Sequence, residues 1–159
     1  MSKIQELIKD NNTILVFDVD GVLAKMEYGE YNHFDLDDDN WTKLIETGEC
    51  FYPDDQAIPS MLEYMKTKDM NNIYVCSKSY SEKEDNMKKR FAISAYGILE
   101  DHIYFVKDNL KKVEVLYKIK ELRPDIDDKH IAMVDDTVDV LNSVKEHSNF
   151  ATIHISSFM

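Results

Sequence analysis

Cysteine is nearly absent from this chain. Cys50 and Cys76 are the only two, and they form no metal-ligand spacing. Cys76 closes an apolar run and reads as a buried free thiol. Basic residues are also in deficit: 19 Lys and Arg face 31 Asp and Glu, for a net charge of −12. Non-specific binding to nucleic acid or to an anionic membrane needs a basic surface, so the charge argues against both. No apolar run is long enough to span a bilayer. The opening MSKIQELIKDNN has no apolar leader core, so the expected location is the cytoplasm. Internal repeats and linkers are missing too, which predicts one domain over residues 1–159. What is present is core-forming: 43% of residues are hydrophobic and 11% aromatic, the composition of a folding sequence.

Short apolar runs alternate with longer helical patterns. TILVF (13–17), NIYVC (72–76), HIYFV (102–106), HIAMV (130–134) and FATIHI (150–155) are rich in β-branched and aromatic residues and do not alternate polar with apolar. Such strands are covered on both faces. Between them lie helical stripes: Ile58, Met61, Leu62 and Met65; a segment opened by the capping-box pair Ser81 and Glu84; Val113, Leu116 and Ile119, stopped by Pro124; and Val138, Leu141 and Val144. Strand and helix in alternation predict βαβ units. The expected fold is α/β, a Rossmann-like parallel five-stranded sheet with helices on both faces. One segment breaks the rhythm. Residues 24–56 are acidic and aromatic and too long for an ordinary strand-to-helix loop, so they read as a small flap after the first strand.

In an open parallel sheet, ligands bind beyond the carboxyl ends of the strands. The first strand delivers Asp18 and Asp20 there, the second Ser77 and Lys78, the third Lys107 and then Lys111 and Lys112, the fourth Asp135, Asp136 and Thr137. Four carboxylates at one edge repel one another, and a cation relieves them. An all-oxygen ligand set with room for water and phosphate points to Mg²⁺. A hydroxyl and a lysine beside it make a phosphate site, and a carboxylate there can attack phosphorus.

FDVDGVL, VCS, a lysine before the third helix and MVDDT, in this order and each after a strand, resemble the four motifs of the haloacid dehalogenase (HAD) superfamily of phosphatases and phosphotransferases, in a small-cap or capless form. The resemblance spans Phe17 to Thr137. It implies a nucleophile at Asp18, a general acid and base at Asp20, a phosphoryl-binding hydroxyl at Ser77, and a charge-neutralising lysine. It also implies Mg²⁺ held by Asp18, the Asp20 backbone carbonyl, Asp135 and Asp136. The lysine is open among Lys107, Lys111 and Lys112. The spacing of KVEVL after Lys112 favours Lys112, with Lys107 as the alternative. Lys78 and Lys107 are candidates for substrate contact. Ser79 and Ser81 compete with Ser77.

Plainer readings exist for each motif. Asp-x-Asp-Gly suits a turn, and Asp135, Asp136 or Thr137 could cap the last helix. Asp35, Asp37, Asp39 and Glu46 fall at positions one, three, five and twelve of an EF-hand loop, but Asn40 stands where glycine is needed. A solvated acidic turn with Asp caps for a short helix at 41–46 is the preferred reading. Tyr31, His33, Phe34 and Trp41 are read as flap packing or as contacts to a leaving group, and base stacking by such aromatics makes a nucleotide the leading substrate. The sequence therefore predicts a Mg²⁺-dependent phosphohydrolase acting on a small phosphomonoester. The alternatives are a phosphotransferase, a non-catalytic HAD-like scaffold, or a calcium-binding module. Oligomeric state is left open.

Overall fold

A computed structural model describes residues 1–25, 27–28, 31–32, 37–47 and 52–159, with the backbone alone at 27–28 and 31–32. The readings of His33, Phe34, Asp35, Cys50 and the Tyr31 side chain lie outside the described residues.

Five parallel strands form the sheet: β1 (Ile14–Phe17), β4 (Ile73–Lys78), β5 (Ile103–Val106), β6 (Ile131–Asp135) and β7 (Ala151–His154), in the order β5-β4-β1-β6-β7. A two-stranded antiparallel hairpin, β2 (Glu27–Tyr28) with β3 (Tyr31–Asn32), follows β1. Among the described residues six α-helices complete the fold: α1 (Lys3–Lys9), α2 (Asp38–Glu46), α3 (Pro59–Met65), α4 (Glu82–Tyr96), α5 (Lys112–Leu122) and α6 (Val138–His147). The N-terminal helix α1 was not anticipated; Ser2 caps it and Ile8 buries its inner face. Among the described residues no helix is long and apolar enough to cross a membrane.

Alternation along the strands divides the core into two layers. Leu15, Phe17, Ile73, Val75, Ala132 and Val134 pack with Met61 and Met65 of α3, Phe91 and Ala92 of α4, and Trp41 and Ile45 of α2. Ile14, Val16, Tyr74, Cys76, Ile131 and Met133 pack with Val113, Leu116 and Ile119 of α5 and Val140, Leu141 and Val144 of α6. This is why the central strands read as continuous apolar runs: both faces are covered. β1 is buried throughout, whereas β5 at the edge is half-buried at every position.

One boundary differs in a way that matters for the site. Ser77 and Lys78 were expected just past the second strand, but they are its last two residues, paired with Phe105 and Val106 of β5. Backbone pairing continues past the end of the apolar run because the ladder uses main-chain groups, whatever the side chains. The strand order reverses at β1, which pairs with β4 on one side and β6 on the other. The crevice beyond β1 and β6 is therefore the topological switch point, where such sheets bind ligands.

Candidate functional site

The chain leaves β1 through a tight turn. Asp18 continues the ladder, its N–H bonding Val134 O at 3.1 Å. The N–H groups of Val22, Leu23 and Ala24 then all converge on Val19 O. Gly21 has φ +75°, the left-handed region that a side chain disfavours. The turn reading of Asp-x-Asp-Gly is thus correct as structure. The turn also sends the Asp18 and Asp20 side chains to different neighbours.

Asp18 follows the parity of Ile14 and Val16 and meets the α5 layer. Lys112, the first residue of α5, reaches Asp18 Oδ1 at 3.3 Å and Asp135 Oδ2 at 2.8 Å. Asp135, on the same parity as Ile131 and Met133, is fully buried, and its Oδ1 accepts from the Thr137 N–H at 3.0 Å. Thr137 occupies the N-cap position of α6 without a side-chain capping bond, so neither acid serves as the side-chain cap of that helix. Asp136 is half-buried; its carbonyl contacts His154 Nε2 at 3.2 Å. Carboxylate oxygens of Asp18, Asp135 and Asp136 all lie within 4.8 Å of one another.

Burial disfavours the charged form, and like charges add to it. The Asp18 carboxyl is raised to about 6: burial is the largest cause, Lys112 opposes it, and Asp135 and Asp20 add to it. Asp135 and Asp136 are raised as well, by burial first. Lys112 stays charged: burial works against its ammonium, but Asp18 and Asp135 more than offset it. Three close carboxylates with a single ammonium between two of them form a hard, all-oxygen donor set with uncompensated negative charge. That arrangement fits a divalent cation.

The other half of the site was not read from the sequence. Ser77, with Val75, faces the α4 layer, and there it meets Lys88, a residue 1% exposed in the middle of α4. The Lys88 ammonium lies 3.0 Å from Ser77 Oγ, 2.9 Å from Asp20 Oδ2, 3.0 Å from Glu84 Oε2 and 2.6 Å from Lys78 O. Asp20 Oδ1 accepts from the Tyr52 hydroxyl at 2.6 Å. The Ser81–Glu84 capping box is only half formed. Ser81 Oγ accepts from the Glu84 N–H, but the Glu84 carboxylate turns inward to Lys88 and to the Trp41 indole N–H at 2.9 Å. Lys88 shares its helix face with Phe91 and Ala92, three and four residues on. Its phase with that apolar stripe is the one sequence signal that could have marked it as buried.

The structure thus brings together Asp18, Asp20, Ser77, Lys112, Asp135 and Asp136, and adds Lys88, Glu84 and Tyr52. Lys107 and Lys111 are exposed and form no ion pair among the described residues. The Lys78 ammonium lies over the Tyr80 ring, 4.7 Å from its centroid. Ser79 is buried and donates to Ser81 O, and Ser81 caps α4, so neither replaces Ser77. Trp41 is packed inward, which takes it out of any stacking role. The EF-hand pattern fails on geometry. Residues 38–46 are helical, Asp37 caps that helix by accepting from the Asn40 N–H, and Asp39 and Glu46 stand roughly 10 Å apart along its axis.

No protein-family model and no curated protein matches the chain. Solved structures do share its fold. DsGPDH of Dunaliella salina superposes with a TM-score of 0.59 at 14% identity, covering 94% of this chain; the chain spans 25% of that protein. A protein of Burkholderia xenovorans assigned as a haloacid dehalogenase-like hydrolase superposes with a TM-score of 0.54 at 14% identity, over 89% of this chain and 80% of its own. These are likenesses of fold.

Proposed function

We propose that this protein is a Mg²⁺-dependent phosphohydrolase that cleaves a phosphomonoester through an aspartyl-phosphate on Asp18. The observation that carries the reading is the convergence of Asp18, Asp135 and Asp136 at the switch point, with the Lys112 ammonium against Asp18 and Asp20 one turn away. The motif resemblance and the shared fold support it.

Asp18, Asp135 and Asp136 would hold the ion, which would supply charge neutralisation at the phosphoryl oxygens. The protein's own groups account for the rest. Asp18 forms its bond to phosphorus through a carboxylate oxygen as the ester P–O bond breaks. Asp20, entering the cycle protonated, gives its proton to the departing alkoxide and is left as the carboxylate that pairs with the Lys88 ammonium. It then takes one from water, whose oxygen bonds to phosphorus while the Asp18 acyl-phosphate bond breaks. Lys112 keeps Asp18 ionised and faces the developing charge. Ser77 offers a hydroxyl to the phosphoryl group.

The test is phosphate release from a panel of nucleotides, sugar phosphates, phosphopeptides and aryl phosphate, with Mg²⁺ and with EDTA. Turnover of at least the aryl phosphate is expected with Mg²⁺, and loss of it in EDTA. Equal turnover in EDTA would overturn the metal-dependent reading.

A further inference from the structure

A continuous chain of polar contacts runs from the flap helix α2 to the carboxylate of Asp20. Trp41 is the only tryptophan of the protein. Its indole N–H donates to Glu84 Oε1 at 2.9 Å, and Glu84 Oε2 lies 3.0 Å from the Lys88 ammonium. Lys88 lies 2.9 Å from Asp20 Oδ2, and the Tyr52 hydroxyl closes on Asp20 Oδ1 at 2.6 Å. Trp41, Glu84, Lys88 and Tyr52 are all buried.

If Lys88 served only to neutralise the buried Glu84, contact with Glu84 would suffice. It has more. An ammonium carries three N–H donors, and four acceptors surround this one: Asp20, Glu84, Ser77 and the Lys78 carbonyl. Its donors are saturated, and its side chain is enclosed. The ammonium therefore has one position, set from both sides, and Asp20 is placed against it. Burial acts to discharge Lys88, but Asp20 and Glu84 raise its pKa above the ordinary lysine value.

We infer that Lys88 is a positioning residue that sets the Asp20 carboxylate, and that the Trp41–Glu84–Lys88 chain ties this setting to the seating of helix α2. The catalytic consequence rests on the phosphohydrolase reading, since it takes Asp20 as the acid; the structural coupling does not. When α2 is seated, Glu84 is held toward Lys88, and Lys88 holds Asp20. Without the Trp41 donor, Glu84 loses that hold, and the acid loses part of its fixed support.

Two measurements on the full-length protein test this. Trp41 emission and its quenching by acrylamide report on α2. Lys88→Arg and Asp20→Asn leave the two atoms of the Trp41–Glu84 hydrogen bond in place, yet both are expected to shift the emission and increase quenching. The exposed Lys66→Ala should leave both unchanged. Unchanged emission in Lys88→Arg and Asp20→Asn would overturn the coupling. The second measurement is the ratio of alkyl to aryl phosphate turnover with Mg²⁺, because a poor leaving group needs the proton more. Lys88→Met is expected to lower that ratio about tenfold, a fraction of the ~10²–10⁴ that general acid catalysis contributes. Lys88→Arg should recover part of it. Trp41→Phe, which keeps an aromatic ring and removes the donor, should lower the ratio less than Lys88→Met does. Equal loss on both esters, or no recovery in Lys88→Arg, would show a merely structural role. A wild-type protein that releases phosphate from no monoester would defeat the phosphohydrolase reading, and the emission arm would then decide the coupling.

Discussion

Lys112 and Lys88 are each 1% exposed, and each lies between two carboxylates, yet they enter the site from opposite layers of the sheet. Lys112 starts α5 and meets one acid just past β1 and one that ends β6, so both of its carboxylate anchors lie at the edge of the central sheet. Lys88 sits in mid-helix. Of its two carboxylates, Asp20 lies on the turn after β1 and Glu84 leads to the flap through Trp41. The comparison separates two tasks. The α5 layer supplies a charge that is fixed against the proposed nucleophile and metal ligands. The α4 layer supplies a charge whose surroundings include helix α2 of the flap, through Trp41. A buried ion pair is a poor source of net stability, because desolvation offsets the attraction. Two such clusters at one strand edge point to a purpose beyond holding the fold.

The largest expected effect breaks the comparison at its centre. Asp18→Asn should abolish turnover on every ester, because the bond to phosphorus has no carboxylate to form from. Assay with aryl phosphate and Mg²⁺ checks it. Residual turnover near the wild-type rate would move the nucleophile elsewhere and leave the Lys112 cluster a structural one.

The next effect separates the lysines. Lys112→Ala should lower kcat/KM by at least ~100-fold, the scale on which one preorganised electrostatic donor acts. Lys107→Ala and Lys111→Ala should change it little, since both side chains are exposed. Loss of a charge from a buried cluster also costs stability, so Lys112→Arg serves as the folded control. The reverse order, with Lys107→Ala inactive and Lys112→Ala active, would place the third motif at the strand end instead of the helix start.

The difference between the two halves also explains what could be read in advance. Asp18, Lys112, Asp135 and Asp136 sit where an apolar run stops or a helical stripe begins, and such transitions are local features of the sequence. So was the parallel sheet with helices on both faces, which follows from strand-helix alternation, whereas the strand order does not. Lys88 lies in DNMKKRF beside Lys89 and Arg90, where it resembles the solvated face of a helix. Glu84, four residues earlier, resembles a cap or an exposed i,i+4 partner. Their burial depends on where α2 and Tyr52 return, roughly 30 to 50 residues away in sequence, and apart from the phase of Lys88 with Phe91 and Ala92 no local pattern encodes that. Ser77 was placed one register too far out for a related reason: the polarity of the side chain changes before the strand ends.

The smallest expected effect concerns the protein without metal and asks whether the Lys112 half is built around an absent positive charge. Asp18 has its pKa raised from 3.8 to about 6, by burial first and then by Asp135 and Asp20, against the pull of Lys112. Asp135 and Asp136 are raised too. A carboxyl whose folded pKa lies above its unfolded value binds protons more readily in the folded state. Its contribution to stability is full below about pH 4 and is lost as pH rises through about 6. Lys112 and Lys88 are charged throughout this range and add no slope. In EDTA, the melting temperature should therefore rise as pH falls from 7 to 5. The net charge of −12 produces some rise of its own by relief of general repulsion, so the comparison must be with Asp18→Asn. That variant lacks the titrating group, and its rise should be smaller. It should also be the more stable protein at pH 7 without metal, because one of three crowded charges is gone. Added Mg²⁺ should stabilise the wild type more at pH 7 than at pH 5, as protons and the ion compete for the same oxygens. Parallel melting curves for wild type and Asp18→Asn at both pH values, with and without Mg²⁺, would mean that the Asp18 cluster is not held under electrostatic strain in the folded state.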